Sequence, residues 1–233
     1  MTTQPSRLVR KNGKIFYIEV MPSQFLDSPL TTKKYLSYLK VLQDDEEDEN
    51  SEVLEEHVLE WILQPFEPFF VKLAPSPEPE PETIKVTLHD YFHAEFFMFH
   101  LDIIDEELRP RQIEMEQSPY MTPGNCIDED FCDSLETWPR VYEPAAIVLS
   151  FDLPEDALFL APGKVLINAE NSQTECFFKP CHSEVQTTTE LKAYEKITKA
   201  NLDPQPRICR LHGVVMNDNG SIGGLLLTYI DHE

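Results

Sequence analysis

Thr174-Glu175-Cys176-Phe177-Phe178-Lys179, followed within a dozen residues by Thr189-Glu190-Leu191-Lys192-Ala193-Tyr194-Glu195-Lys196-Ile197, is the stretch from which a fold follows. The first segment is short, rich in aromatic residues and bounded by a polar run and a proline, the composition of a β-strand. The second carries Leu191, Tyr194 and Ile197 three residues apart, with Ala200 next in the series, so its apolar side chains gather on one helical face. Ser183 or Thr187 offers an oxygen to cap the start of that helix, and Pro204 and Pro206 stop it.

On the N-terminal side, Ala145–Phe151 and Lys164–Asn168 are two more strand candidates, and Ala169-Glu170-Asn171-Ser172-Gln173 has the length and polarity of a hairpin turn. On the C-terminal side, Arg207–Val215 and Gly224–Ile230 flank the turn Asn217-Asp218-Asn219-Gly220. The expected order is strand, strand, strand, helix, strand, strand. It predicts an α+β fold, with a five-stranded antiparallel sheet and one helix over residues 144–233.

That order, with Phe177-Phe178-Lys179 before the helix and a fifth strand at Leu225-Leu226-Leu227-Thr228-Tyr229-Ile230-Asp231, resembles the small N-terminal lobe of a protein kinase. The wording of these segments is most similar to protein-kinase-like proteins of filamentous fungi, over about the last 90 residues. The resemblance implies an ATP site. Lys179 falls where the third-strand lysine grips the α- and β-phosphates, and Glu190 where a helix carboxylate steers that lysine. It places Leu227 at the gatekeeper position and Tyr229 with it on the nucleotide side, where hinge backbone groups would meet adenine. Glu195 competes for the carboxylate role, but the apolar phase favours Glu190. One and two turns on from Glu190 lie Tyr194 and Ile197, whereas from Glu195 they are Lys199 and Leu202.

The same segment departs from the kinase pattern. A loop that cradles phosphates with backbone amides needs several glycines, yet Gly163 is the only one between Ile147 and Lys164. The sequence ends at Glu233, just past the implied hinge, before any catalytic loop or metal-holding aspartate. The expectation is therefore an inactive kinase-like fragment or pseudokinase in which ATP contact is weak or vestigial, with no catalytic residue and no metal. The alternative is a non-catalytic acidic module that binds a protein partner.

The alternative draws on the charge of the chain. Its 233 residues hold 42 Asp and Glu against 19 Lys and Arg, a net charge of -23, which argues against binding nucleic acid or an anionic membrane. Residues 1–143 carry most of that charge and are expected to form an acidic α+β region, with Lys14–Val20 as a strand and Glu52–Leu63 as a helix. Loops are expected at 43–51, around the run Asp44–Glu49, and at 74–82, where alternating prolines favour extended chain. The acidic run, or an exposed face of the lobe, would be the surface for a partner. Thr83–Thr87 reads as a strand, Leu88–His100 as an aromatic segment of either type, and 110–140 shows no periodicity.

No run of 18 apolar residues and no apolar leader is present, which predicts a soluble intracellular protein, cytoplasmic or nuclear. In that setting the five cysteines, an odd number without a C-x-x-C pair, read as structural thiols. His89 and His93 have same-face helical spacing but too few companions for a metal site. Cys176, Cys181 and His182 form a loose cluster better explained by packing.

Overall fold

A computed structural model describes residues 6–25, 27–43, 57–76, 85–114, 138–169, 172–200 and 209–230. The chain is a mixed α+β protein with two sheets, one in each of two compact units. The first unit comprises Met1–Glu78 and Glu95–Ser118, the second Pro79–Ala94 and Pro119–Glu233. The acidic run Asp44–Glu49 and most of the proline-rich loop lie outside the described residues.

In the first unit the strands β1 (Ser6–Lys11), β2 (Lys14–Glu19), β3 (Phe96–Ile104) and β4 (Glu107–Ile113) form one sheet in that order. The β1–β2 and β3–β4 pairs are antiparallel hairpins, and β2 and β3 run parallel. Their long connection holds α1 (Pro29–Gln43), a helix at 57–63 (α2) and α3 (Glu67–Leu73). Phe16, Phe66, Phe70 and Phe99 form an aromatic cluster at its core, Phe16 and Phe70 edge to face with centroids 4.8 Å apart.

Sequence periodicity missed β1, α1 and β4. Pro110 made β4 look irregular, but β4 is an edge strand, where a missing amide interrupts no second ladder. The aromatic segment after Thr87 is both types in turn: α4 (Leu88–Phe92), opened by a reciprocal Thr87–Asp90 capping box, and then β3. Of the expected strand Thr83–Thr87, the described residues 85–87 make only an isolated bridge, Thr87 to Val148.

The second unit holds a six-stranded sheet rather than the expected five. Its strands are β5 (Val141–Tyr142), β6 (Ile147–Leu149), β7 (Lys164–Ala169), β8 (Ser172–Pro180), β9 (Leu211–Met216) and β10 (Ile222–Thr228), in the order β5-β9-β10-β8-β7-β6. All neighbours are antiparallel except the added edge strand β5, which runs parallel to β9. The compact unit also differs from a boundary at 143/144, because Leu88 and Phe92 of α4 and Tyr142 of β5 belong to its core.

The long helix α5 (Glu184–Lys199) connects β8 to β9. Ser183 is its N-cap residue without a side-chain cap bond, and the Thr187 hydroxyl donates to the Ser183 carbonyl at 2.8 Å. At β9 and β10 the sheet is buried on both faces. On one, Cys176, Phe178, Val165, Ile167, Val215 and Leu226 pack with Leu88 and Phe92. On the other, Val214, Ile222, Leu225 and Leu227 pack with Leu191 of α5. Burial on both sides explains why β10, between β8 and β9, reads Ile-Gly-Gly-Leu-Leu-Leu without alternation. Gly224 is required there, since a Cβ would overlap the Phe178 ring and stand 2.8 Å from the Lys179 carbonyl oxygen.

Candidate functional site

Strand alternation sets the site. Cys176 and Phe178 of β8 point into the α4 side of the core, so Glu175, Phe177 and Lys179 stand on the face toward α5. Along α5, Thr187 and Leu191 are buried and fix the inward face. Glu190 flanks that face and meets the strand. Lys179 Nζ donates to Glu190 Oε1 at 2.6 Å, and Gln186 Nε2 lies 3.4 Å from the same oxygen. Glu195 instead accepts from Lys199 at 2.7 Å, one turn along the same helix.

The side chains of Lys179 and Glu190 are 40% and 24% exposed. An ion pair this open to water contributes about 0–1 kcal/mol to folding. Its main consequence is positional, because a flexible four-carbon stem is held at one spot. Beside it lies a pocket of about 240 Å³, bordered by His182, Gln186, Thr187 and Glu190. Cys181 also borders it, its thiol pushed up by burial against a partly offsetting Thr187 hydrogen bond.

The structure thus brings Lys179 and Glu190 together, while Leu227 lies on β10 and Tyr229 just beyond its end. Leu227 is the cross-strand partner of Phe177 and is buried with Leu191 and Leu225. Tyr229 follows the end of β10, its ring centroid 4.8 Å from Lys164 Nζ. Two further residues define this face and were not singled out from sequence: Phe177, which is 43% exposed, and Lys164, its partner on β7. The signal for Phe177 was available, since it lies two residues before Lys179 and strand alternation puts both on one face.

The loop before β7, where a kinase-like reading needs glycines, contains a 3-10 turn over Pro154–Leu158. Of the other cysteine and histidine clusters, Cys176 and Cys181 are buried, whereas His89, His93 and His182 are exposed. Cys176 is fully buried, and burial pushes its thiol up to about 11. His89 and His93 stack with ring centroids 4.2 Å apart, and His93 Nδ1 lies 2.9 Å from the His89 carbonyl oxygen. Among the described residues no group of three His, Cys, Asp or Glu side chains is placed to hold a metal ion, and no helix is long and apolar enough to cross a membrane.

No family model, no curated protein and no solved structure matches this chain.

Proposed function

We infer that residues 144–233 form a protein-kinase-like small lobe whose role in this chain is to bind the phosphates of a polyphosphate ligand such as ATP. The observation that carries this reading is the Lys179–Glu190 pair at 2.6 Å. A lysine held by a helix carboxylate is the device by which kinases fix a cation over phosphates. A pocket of about 240 Å³ opens beside that cation, with Gln186 and His182 on its rim as further polar groups. The order of three strands, a helix and two strands supports the reading independently. Against tight binding stand the single glycine of the loop before β7 and the net charge of -23, both of which weaken attraction for an anion.

The test is ligand-induced stabilisation of the 233-residue chain in Mg-ATP, with Lys179→Ala alongside. Saturation at one hundred times Kd stabilises a protein by about 2.7 kcal/mol. The expected result is a rise in melting temperature for the parent and none for Lys179→Ala. Equal shifts in both proteins would remove the lysine from the site.

A further inference from the structure

The two sides of Lys179 are unlike. Backward along β8 lies Phe177, in a cross-strand row with Lys164 of β7 and Leu227 of β10. These three share the α5 face of the sheet, because paired residues of neighbouring strands point the same way. The Phe177 ring stands out from this face and leans over Gly163, at whose position a Cβ would be in ordinary contact with it at 3.7 Å. Lys164 reaches across β8: its ammonium lies 2.9 Å from Glu175 Oε1 and 4.8 Å from the ring centroid of Tyr229. An aromatic ring and a tethered cation therefore occupy the part of the sheet on which the kinase resemblance would lay a flat base. Forward along the chain, the surface opens into the pocket rimmed by His182, Gln186 and Glu190.

We propose that the ligand of this site is a polyphosphate anion recognised without its base, held by Lys179 in the pocket toward His182 and Gln186, while Phe177 and the Lys164–Tyr229 contact close the base side. This rests on the phosphate-binding reading above and narrows it. Base recognition requires a slot into which a flat ring can stack and polar edges for it to meet. Here Phe177 projects from the sheet face in place of such a slot, and the residues that the kinase resemblance puts on the nucleotide side are engaged otherwise: Leu227 lies buried beside Phe177, and Tyr229 lies beneath Lys164. Phosphate oxygens need only a fixed cation and donors, and those face the open pocket. The Glu190 carboxylate stands in the same pocket and is occupied in holding Lys179.

Titration calorimetry of the full chain with tripolyphosphate, ATP, GTP and adenosine, at one ionic strength and magnesium concentration, tests this. A base stacked on protein adds about tenfold or more to affinity. The expected result is that tripolyphosphate, ATP and GTP bind within about threefold of one another, that adenosine gives no heat, and that Lys179→Ala weakens all three anions. Removing the ring with Phe177→Ala is expected to give ATP an advantage of about tenfold over tripolyphosphate. An ATP preference beyond threefold in the parent overturns base-independent recognition and leaves the phosphate site standing. Equal ATP and tripolyphosphate affinities in a folded Phe177→Ala protein overturn the blocking role of Phe177. If the parent binds none of the anions, or binds them equally after Lys179→Ala, the phosphate site itself is overturned and this inference with it. The parent titrations decide the matter even if a variant does not fold.

Discussion

Lys179 of β8 and Glu190 of α5, eleven residues apart in sequence, meet at 2.6 Å, and the helix that carries Glu190 is oriented by Leu191 beside it. The contact joins the sheet to its long helix through two charges that both remain partly in water. That combination separates what the pair does for stability from what it does for binding.

Lys179→Met and Glu190→Gln should each change the unfolding free energy by less than about 1 kcal/mol, because exposed pairs are screened and lose side-chain freedom on forming. Both should abolish or sharply reduce stabilisation by tripolyphosphate. Urea denaturation with and without the anion measures the two effects on the same samples. A large loss of stability with unchanged anion response would make the pair purely structural.

Gly224→Ala should destabilise the second unit by about 1–3 kcal/mol or more, since the new methyl would collide with the Phe178 ring and approach the Lys179 carbonyl to 2.8 Å. Gly163→Ala, whose methyl would make only a 3.7 Å contact with Phe177, should stay within about 0.5 kcal/mol of the parent. Denaturation midpoints of the two variants check the contrast.

Cys176 and Cys209 should differ in reactivity. The Cys176 thiol is fully buried and pushed up to about 11, so at pH 8 only about one molecule in a thousand carries the reactive thiolate. Cys209 is partly exposed. Iodoacetamide labelling read by peptide mapping should modify Cys209 in the native protein and Cys176 only after denaturant is added. Native labelling of Cys176 at the rate of Cys209 would contradict the packing of β8.

His212 should make the fold sensitive to mild acid. Partial desolvation, and then the positive charge of Arg140, hold its imidazole below the ordinary value of 6.5, and the neutral ring lies 2.9 Å from the Tyr142 hydroxyl. Above pH 6.5 the ring is neutral in both folded and unfolded chains, and its contribution is fully present. As pH falls through 6.5 the unfolded chain takes up the proton first, and stability declines until the lowered folded value is passed. The parent should therefore lose more stability between pH 7.5 and 5.5 than His212→Gln, as melting temperatures at the two values would show. Equal losses would mean that His212 is not held neutral by the fold.

Much of the second unit was legible because its elements announce themselves locally. The Leu191, Tyr194 and Ile197 spacing marks α5, and the runs around Val165, Phe177 and Leu226 mark strands. Where the reading fell short, local signals were overridden by context. Pro110 argues against a strand unless the strand is at an edge, and the sequence does not say which strands are edges. The two residues of β5 are too few to carry a period, and they pair only because β9 is there to accept them. Gln43 ends a helix whose first residue is Pro29, a start that lacks an acidic first turn.

By itself the sequence determined the strand and helix types around Lys179, the preference for Glu190 over Glu195 through the apolar phase, and an excess of negative charge that disfavours nucleic acid. Alternation and helical phase are properties of neighbouring residues, so they survive without knowledge of partners. Only the tertiary structure decided that β10 lies between β8 and β9, that α4 and β5 join the same core, and that Phe177, Lys164 and Tyr229 converge on one side of Lys179 while a pocket opens on the other. Those are choices of pairing between segments tens of residues apart. They are settled by which faces bury apolar surface together, a quantity that no single stretch of the chain contains.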